Sequence, residues 1–342
     1  MNAAKYRHPF PSPYPGESIY SLLCRYHVRS GNSSAARTRM ELFGNSNIRL
    51  TPSQSDFSLL DYSEKWKQDD NGTFKYDLLI HHTAYNLGSM LFQHPHQRTP
   101  ETKGKNNSHP VTLPQKIYYP RIKRMRYCPA CAAAEKKLYG EPYWHFIHQL
   151  RTSTHCPIHK IMLVDADVTY QEASYSFQPA FKAIGSKSSP LIPYQGCAFQ
   201  TGIESDYLWI ISNGSHLPDH DTICRKCYKT FQKAIAQSKY ANWDLIDIMK
   251  YAYRALQAEK RKEIGESLWE QLLLTSHLYR PTISSKKGMI CFGSIGELIL
   301  YMRLIYGGAE NYYRKEHLNG NMTYETYWSK ISDLTLHRNH YY

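Results

Sequence analysis

Two short pairs of metal-ligand residues constrain this chain more than any other feature of its sequence. The first is Cys128-Pro129-Ala130-Cys131, and Cys156-Pro157-Ile158-His159 follows 25 residues after Cys131. Each pair places two residues between its donors, a spacing that suits one tetrahedral Zn²⁺. The alternative is four unrelated buried residues or a disulfide pair, but lone cysteines do not usually occur in matched pairs. The proline after the first ligand of each pair stiffens the turn that aims the donors. We therefore predict a structural zinc site with the ligands Cys128, Cys131, Cys156 and His159.

A second set of ligand residues is less regular. Cys224-Arg225-Lys226-Cys227 has the same internal spacing, but no matching pair accompanies it. One tetrahedral set would comprise Cys197, His216, Cys224 and Cys227, with His220 as the competitor for His216. The alternative is a redox-active pair without metal, but no thioredoxin-like βαβ pattern surrounds it. We expect a second zinc here and leave its individual ligands open.

The chain carries an excess of positive charge. Its 342 residues include 42 Lys and Arg against 29 Asp and Glu, a formal net charge of +13. Such an excess favours a polyanionic partner, nucleic acid before membrane, and no segment approaches the ~20 continuous apolar residues of a spanning helix. The first residues lack the apolar stretch of a secretory signal, and the cysteines fit a reducing cytosol. We expect a cytoplasmic, nucleic-acid-associated protein; a merely soluble basic protein is the alternative.

Hydrophobic spacing predicts short helices near the start of the chain. The apolar stripe from Ile19 to Tyr26 predicts a helix that ends at Gly31. Ser33 or Ser34 can cap a second helix that ends at Gly44. Two short helices around a glycine-containing turn are typical of a helix-turn-helix, and a plain helical hairpin fits the same pattern.

We predict a mainly α-helical fold with small β zinc ribbons. Towards its end, the chain has a helical pattern that closes at Gly307-Gly308 and is a second candidate helix-turn-helix, with a plain hairpin as the alternative. The predicted parts are an N-terminal helical domain at 1–115 with a flexible polar loop at 94–114, a zinc-ribbon region at 116–228, and a C-terminal helical domain at 229–342.

Two groups of cations are candidates for contact with nucleic acid or with a protein partner. The first group lies off the apolar stripes of the two N-terminal helices, available for phosphates. The second precedes Cys128 in a basic, aromatic strand that could follow a phosphate backbone. In both cases the alternative is an ordinary solvated surface. The candidate residues are Arg25, Arg29, Arg37, Arg39, Arg121, Lys123, Arg124 and Arg126.

Several segments in combination resemble one known family, TniQ/TnsD. They are PYPGESIYSLLCR at 13–25, RYCPAC at 126–131, and YGEPYW at 139–144 followed at this interval by CPIH at 156–159. The resemblance covers about the first 165 residues well and the remainder loosely. It implies a target-selection factor of a cut-and-paste transposon, with helix-turn-helix and zinc-ribbon modules, that recruits the AAA+ ATPase TnsC.

The family has two classes, and the resemblance implies a different partner for each. TnsD members recognise an attachment site in DNA directly. Short TniQ members dock as a head-to-tail dimer on a CRISPR Cascade complex in RNA-guided transposons. A length of 342 residues leaves little room for the extended C-terminal recognition region of the long members. We therefore expect the short, Cascade-associated class, with direct DNA reading as the alternative.

No motif in the sequence predicts catalysis, and we expect a protein that is not an enzyme. A zinc-dependent nucleic-acid deaminase needs a His-x-Glu element ahead of a Pro-Cys-x-x-Cys pair. The sequence contains no His-x-Glu, and its proline falls inside the cysteine pair. The remaining enzymatic alternative is a zinc-knuckle nuclease that uses His81-His82 with Asn106 or His109.

Overall fold

A computed structural model describes the two compact units of this mainly helical chain. The first unit comprises Met1–Tyr85 and Arg98–Gln195, and the second Asn86–Gln97 and Gly196–Tyr342. This grouping places the predicted N-terminal helices and the first cysteine pairs in one unit, unlike the three-part division expected from the sequence. The described residues are 10–50, 73–83, 123–150, 153–185, 189–214, 217, 254, 257–266, 269, 284–286, 289–291 and 295–314.

The first unit opens with two capped helices, α1 at Ile19–Ser30 and α2 at Ala35–Phe43. The Ser18 and Ser34 side chains each accept a hydrogen bond from a backbone N–H in the first turn, which would otherwise be unpaired. The helices end at Gly31 and Gly44, whose φ values of 64° and 68° favour glycine. The predicted boundaries of both helices are confirmed, whereas a helix-turn-helix role stays a prediction.

Helix α1 supplies the centre of the hydrophobic core of the first unit. Ile19, Leu22, Leu23 and Tyr26 are each at most 2% exposed, which confirms the predicted apolar stripe. The fully buried Trp144 packs in the same cluster. Each such side chain contributes about 1.5–3 kcal/mol through burial, so the core binds α1 to the segment that follows the first cysteine pair.

The extended segment before α1 lies along the backbone next to Trp144. The N–H of Ser18 donates to the carbonyl of Trp144 at 2.8 Å, and the N–H of Phe146 donates to the carbonyl of Gly16 at 3.2 Å. Gly16 has a φ of 69°, and a Cβ there would lie 3.3 Å from Nδ1 of His145. The glycine therefore permits both the turn and the close approach of the two segments.

The remaining elements of the first unit build a small sheet and short helices around this core. Strands β1 and β2 pair antiparallel, with Arg126 opposite Asp165 and Tyr127 opposite Val164. The Gln149 side chain bonds both the N–H and the carbonyl of Arg126, at 3.1 and 2.7 Å. In chain order the elements are α3 at Thr73–His82, β1 at Arg124–Tyr127, α4 at Pro129–Tyr139, a 3₁₀ turn at Ile147–Gln149, β2 at Val164–Thr169, α5 at Tyr170–Tyr175 and α6 at Ala180–Ile184.

The described part of the second unit centres on three helices that pack on one another. The guanidinium of Arg303 joins two of them: Nε donates to Oδ2 of Asp206 at 2.7 Å, and Nη2 donates to the carbonyl of Gly202 at 2.7 Å. Asp206 adds the third helix, since its Oδ1 accepts from the N–H of Ala309 at 2.8 Å. No described helix is long and apolar enough to cross a membrane. The elements are α7 at Ala198–Asn213, β3 at Ser284–Lys286, β4 at Met289–Cys291, α8 at Ile295–Tyr306 and α9 at Ala309–Tyr313.

Arg25 lies inside the first unit, which corrects the expectation that it is available for phosphates. Its Nη1 is 2.6 Å from Oε2 of Glu17, and its Nε is 3.3 Å from Oε1 of Glu141. Its Cζ lies 3.6 Å from the centre of the Tyr14 ring. Arg25 is 5% exposed and Glu17 fully buried. Burial raises the pKa of Glu17 to about 7, although the charge of Arg25 and a hydrogen bond from the Tyr14 N–H oppose the rise.

We predict that Arg25→Ala lowers the free energy of unfolding of the first unit by about 3 kcal/mol, because it leaves the Glu17 carboxylate buried without its cation. Urea titration at pH 8 measures the loss. Since the folded-state pKa of Glu17 lies above its ordinary value of 4.5, its effect on stability is most favourable below pH 4.5 and is lost as the pH rises through 7. The Arg25→Ala deficit should therefore shrink at pH 5.

The matched control is Arg29→Ala, which removes the half-exposed cation that also contacts Glu141. An exposed ion pair contributes at most about 1 kcal/mol, so this variant should differ little from the wild type. A pH-independent deficit in Arg25→Ala would contradict the buried-charge explanation and indicate lost packing alone.

Candidate metal centre

The predicted zinc ligands come from a helix N-terminus and a tight turn. Cys128 is the N-cap of α4, where its Sγ accepts a hydrogen bond from the N–H of Cys131 at 3.4 Å. Cys156 caps its own turn in the same way, since its Sγ accepts from the N–H of His159 at 3.5 Å. The first pair thus begins a helix, while β1 leads into this pair and is hydrogen-bonded to β2, which follows the second pair. Pro129 at the first helical position favours this helix, because its fixed φ suits a helix start.

The four donor atoms converge on one point. Sγ of Cys131 lies 3.7 Å from Sγ of Cys156, and Nδ1 of His159 lies 3.5, 3.3 and 3.6 Å from the sulfurs of Cys128, Cys131 and Cys156. Donors about 2.0–2.3 Å from one tetrahedral Zn²⁺ are about 3.4–3.8 Å apart. The cluster can therefore hold a tetrahedral metal ion, and its three sulfurs and one nitrogen suit zinc rather than magnesium or calcium.

The electrostatics of the cluster also suit a cation. The three cysteines are buried, whereas His159 is exposed and gives access to the site. Hydrogen bonds from the thiols of Cys128 and Cys131 hold the pKa of Cys156 below its ordinary value, while hydrogen bonds with Cys128 and Cys156 raise the pKa of Cys131. The thiolate form of Cys156 is thus favoured, while the thiolate form of Cys131 is disfavoured. A bound divalent ion would stabilise the thiolate forms of all three cysteines.

A layer of buried polar side chains lies beside the metal ligands. Nε2 of His145 is 2.5 Å from Oε1 of Glu135, and both groups lie near Cys131. Two ligands of one ion would be about 3.4 Å apart, so the short distance indicates a hydrogen bond rather than a second metal site. The ring of His148 is tilted by 43° against that of His145, with 4.6 Å between the ring centres, and His148 is 1% exposed. Burial lowers the pKa of His148 to about 4, so its ring is neutral beside the metal ligands.

Only one residue of the second predicted zinc site falls in the described part of the chain. Cys197 is the N-cap of α7, where its Sγ accepts a hydrogen bond from the N–H of Gln200 at 3.4 Å. This role matches that of Cys128 at the start of α4. His216, His220, Cys224 and Cys227 lie outside the described residues, so the second zinc stays a prediction.

The basic strand before Cys128 divides into exposed and internal cations. Lys123 is exposed, and Arg124 is 44% exposed beside Asp167, 2.8 Å away. Arg126 instead donates to backbone carbonyls of residues 150 and 153 at 2.6 and 2.7 Å, so its guanidinium fixes the chain ahead of Cys156. Its expected availability for a phosphate backbone is wrong. Arg121 lies outside the described residues.

The cations of α1 and α2 also differ in exposure. Arg29 is half exposed, with Nη2 3.1 Å from Glu141, and Arg37 is exposed on α2. Arg39 is partly buried, and its guanidinium donates to the carbonyls of Ser46 and Tyr175, both at 2.6 Å. The candidate contact surface of this region is therefore smaller than the sequence suggests.

The histidine pair of the nuclease alternative does not form a joint site. His82 is 7% exposed, and its Nδ1 lies 2.7 Å from the carbonyl of Glu17. His81 is exposed, and its Nε2 lies 3.5 Å from Oδ1 of Asp77. Asn106 and His109 lie outside the described residues. Within α3, the two histidines face different surroundings, and His82 has a structural role in holding the segment before α1.

Residues 8–163 match the model of the TniQ family. This part of the chain is therefore similar to the TniQ family. The matched residues include the segment before α1, both capped helices and all four ligands of the candidate metal centre. The chain is also 28% identical over 160 residues to the Tn7 transposition protein TnsD of Escherichia coli. That alignment covers 44% of this chain and 30% of TnsD. The resemblance to TniQ/TnsD is confirmed, and the matched part of the chain spans only 30% of the length of TnsD.

We predict that Cys131→Ser removes about one Zn²⁺ per chain, because three remaining donors hold the metal poorly and the metal-binding energy stabilises the fold. Elemental analysis of purified protein and thermal unfolding measure the two effects. Cys24→Ala is the control, since Cys24 is equally buried but lies in the α1 core away from the cluster. Unchanged zinc content and an unchanged thermal transition in Cys131→Ser would show that the site is misassigned.

Proposed function

We propose that this TniQ chain is a target-selection adaptor of an RNA-guided transposon. In this proposal it docks as a homodimer on a CRISPR Cascade ribonucleoprotein and recruits a TnsC-type AAA+ ATPase, which passes the target DNA to the transposase. The TniQ domain is the observation that carries the proposal, supported by the similarity to a protein named for Tn7 transposition. The net charge of +13 suits work beside nucleic acid.

The exposed face of α2 supports docking on a protein rather than direct reading of bases. A recognition helix reads base edges with side chains such as Arg, Asn and Gln. The exposed face of α2 presents one such side chain, Arg37, next to Ala36 and Met40, and Met40 is 51% exposed. Methionine is enriched in protein interfaces. Arg39, the other cation of α2, is held by two carbonyls.

The alternative function is direct recognition of a DNA attachment site in the manner of TnsD. The similarity to TnsD favours it, and Arg37 is free to approach a major groove. A zinc-knuckle nuclease is a minor alternative, and the buried, hydrogen-bonded position of His82 argues against it. Incubation with plasmid and Mg²⁺ or Mn²⁺ tests the nuclease: nicking that His82→Ala abolishes would establish it.

We predict that reversing the charges of Lys123 and Arg124 to Glu weakens binding to the nucleic acid or ribonucleoprotein partner. It should flatten the log–log salt dependence by roughly one unit per lost phosphate contact. Fluorescence anisotropy at several salt concentrations measures the slope. Reversal of Lys136 and Lys137, two exposed lysines of α4, is the charge-matched control. If the variant has a native fold and an unchanged slope of the log–log salt dependence, Lys123 and Arg124 are ordinary solvated residues that do not contact the partner.

We predict that the purified chain binds duplex DNA weakly, with a Kd no tighter than about 10⁻⁶ M at physiological salt, because only sequence-independent phosphate contacts contribute. Specificity would come from the guide RNA of Cascade, which reads the target by base pairing. Co-purification tests whether the chain docks on Cascade, and an RNA-free binding assay across a candidate attachment site tests whether it binds DNA directly. A specific footprint at nanomolar affinity without RNA would establish the TnsD-like alternative instead.

A further inference from the structure

Four side chains from separate segments form a surface that the sequence does not predict as a unit. Tyr175 ends α5 and is 49% exposed. The Cζ of Arg49 lies 5.0 Å from the centre of the Tyr175 ring, and Nη1 of Arg39 donates to the Tyr175 carbonyl. Lys182 is exposed on α6. We call Arg39, Arg49, Tyr175 and Lys182 the Tyr175 patch.

Two cations of the patch, Arg39 and Lys182, act on the same histidine, His27. Burial lowers the pKa of His27, and the charges of Lys182 and Arg39 lower it further, because two cations disfavour a third. The ring of His27 stacks on Phe177 at 4.7 Å, and its Nδ1 lies 2.6 Å from Oγ1 of Thr38. Arg39 and Lys182 therefore lie on the side of the unit where Phe177 and Thr38 hold the His27 ring.

The backbone holds this arrangement in place before any ligand binds. The N–H of Leu50 donates to the carbonyl of Ser174 at 3.1 Å, which fixes the segment carrying Arg49 against the end of α5. Arg39 is fixed by its two carbonyl acceptors, at Ser46 and Tyr175. Side chains that are already ordered lose less conformational entropy on binding.

We propose that the Tyr175 patch binds single-stranded nucleic acid, with an unpaired base stacked on Tyr175 and adjacent phosphates on Arg49 and Lys182. An exposed aromatic ring flanked by cations has the two elements that single-strand binding needs, a stacking platform and a backbone contact. Paired bases in a duplex do not offer a free face to such a ring. This inference goes beyond target selection and is tested without Cascade or an ATPase.

The test uses the full chain and fluorescein-labelled dT20 and U20 oligonucleotides, with a 20-base-pair duplex for comparison, in anisotropy titrations at several salt concentrations. Tyr175→Ala should weaken single-strand binding by about 5-fold or more, as expected for one stacked base, while Tyr175→Phe retains the ring and the affinity. Arg49→Gln with Lys182→Gln should reduce the single-strand salt slope by about 1.4, two contacts at about 0.7 each.

The double variant Lys136→Gln with Lys137→Gln removes the same charge from the exposed side of α4 and should leave the slope unchanged. Thermal unfolding confirms that each variant is folded. Wild-type affinity in Tyr175→Ala, or an equal loss with the duplex, would overturn the stacking proposal. If the α4 control loses as much of the single-strand salt dependence, the net charge of the protein attracts the oligonucleotide and the Tyr175 patch is not a specific site. Displacement of the oligonucleotide by polyglutamate at the same charge concentration would indicate an acidic protein partner instead.

Discussion

The buried charge of Arg25 is the constraint on which the first unit depends. A guanidinium that is 5% exposed must be neutralised, and it lies between Glu17, before α1, and Glu141, beyond the first cysteine pair. The ring of Tyr14 covers one face of the same group. Three separated stretches of chain are thereby held together at one point. Tyr14, Glu17 and Arg25 lie in the segment 13–25, and Glu141 lies in the segment 139–144. Both segments carry the resemblance to TniQ/TnsD, and the burial of Arg25 gives a physical reason for these residues.

The metal centre and the α1 core are neighbours rather than independent modules. Trp144, beside the metal ligands in the chain, packs in the core of α1, and its N–H donates to Oγ of Ser21 at 3.0 Å. His145 belongs to the same stretch and bonds Glu135 of α4, the helix that begins at the first cysteine pair. Loss of the metal should therefore disturb the packing of α1, because α4 and the Trp144 segment connect them. The two N-terminal helices therefore rest on a segment that is connected to the candidate metal centre.

The cationic side chains of the first unit fall into two groups, internal and exposed. Arg25, Arg39 and Arg126 donate to carboxylates or carbonyls within the unit and hold segments together. Lys123, Arg37, Arg49 and Lys182 are exposed and can meet a polyanion. The net charge of the chain does not distinguish these roles, since an arginine contributes equally to it in either place. A partner can therefore be proposed only from the exposed set, and this set is divided between β1, α2 and the Tyr175 patch.

The sequence by itself determined the local features: the caps and glycine ends of α1 and α2, the apolar stripe from Ile19, and the four metal ligands, since each depends on residues close together in the chain. It did not indicate α7, although Ile203, Tyr207 and Ile210 repeat at helical spacing, because a cysteine takes the place of the usual capping residue. Only the tertiary structure decided that Arg25 is internal, where it contacts Glu141, and that Arg49 lies against the ring of Tyr175. These outcomes depend on contacts between residues more than a hundred positions apart, and neither hydrophobic spacing nor charge counting carries that information.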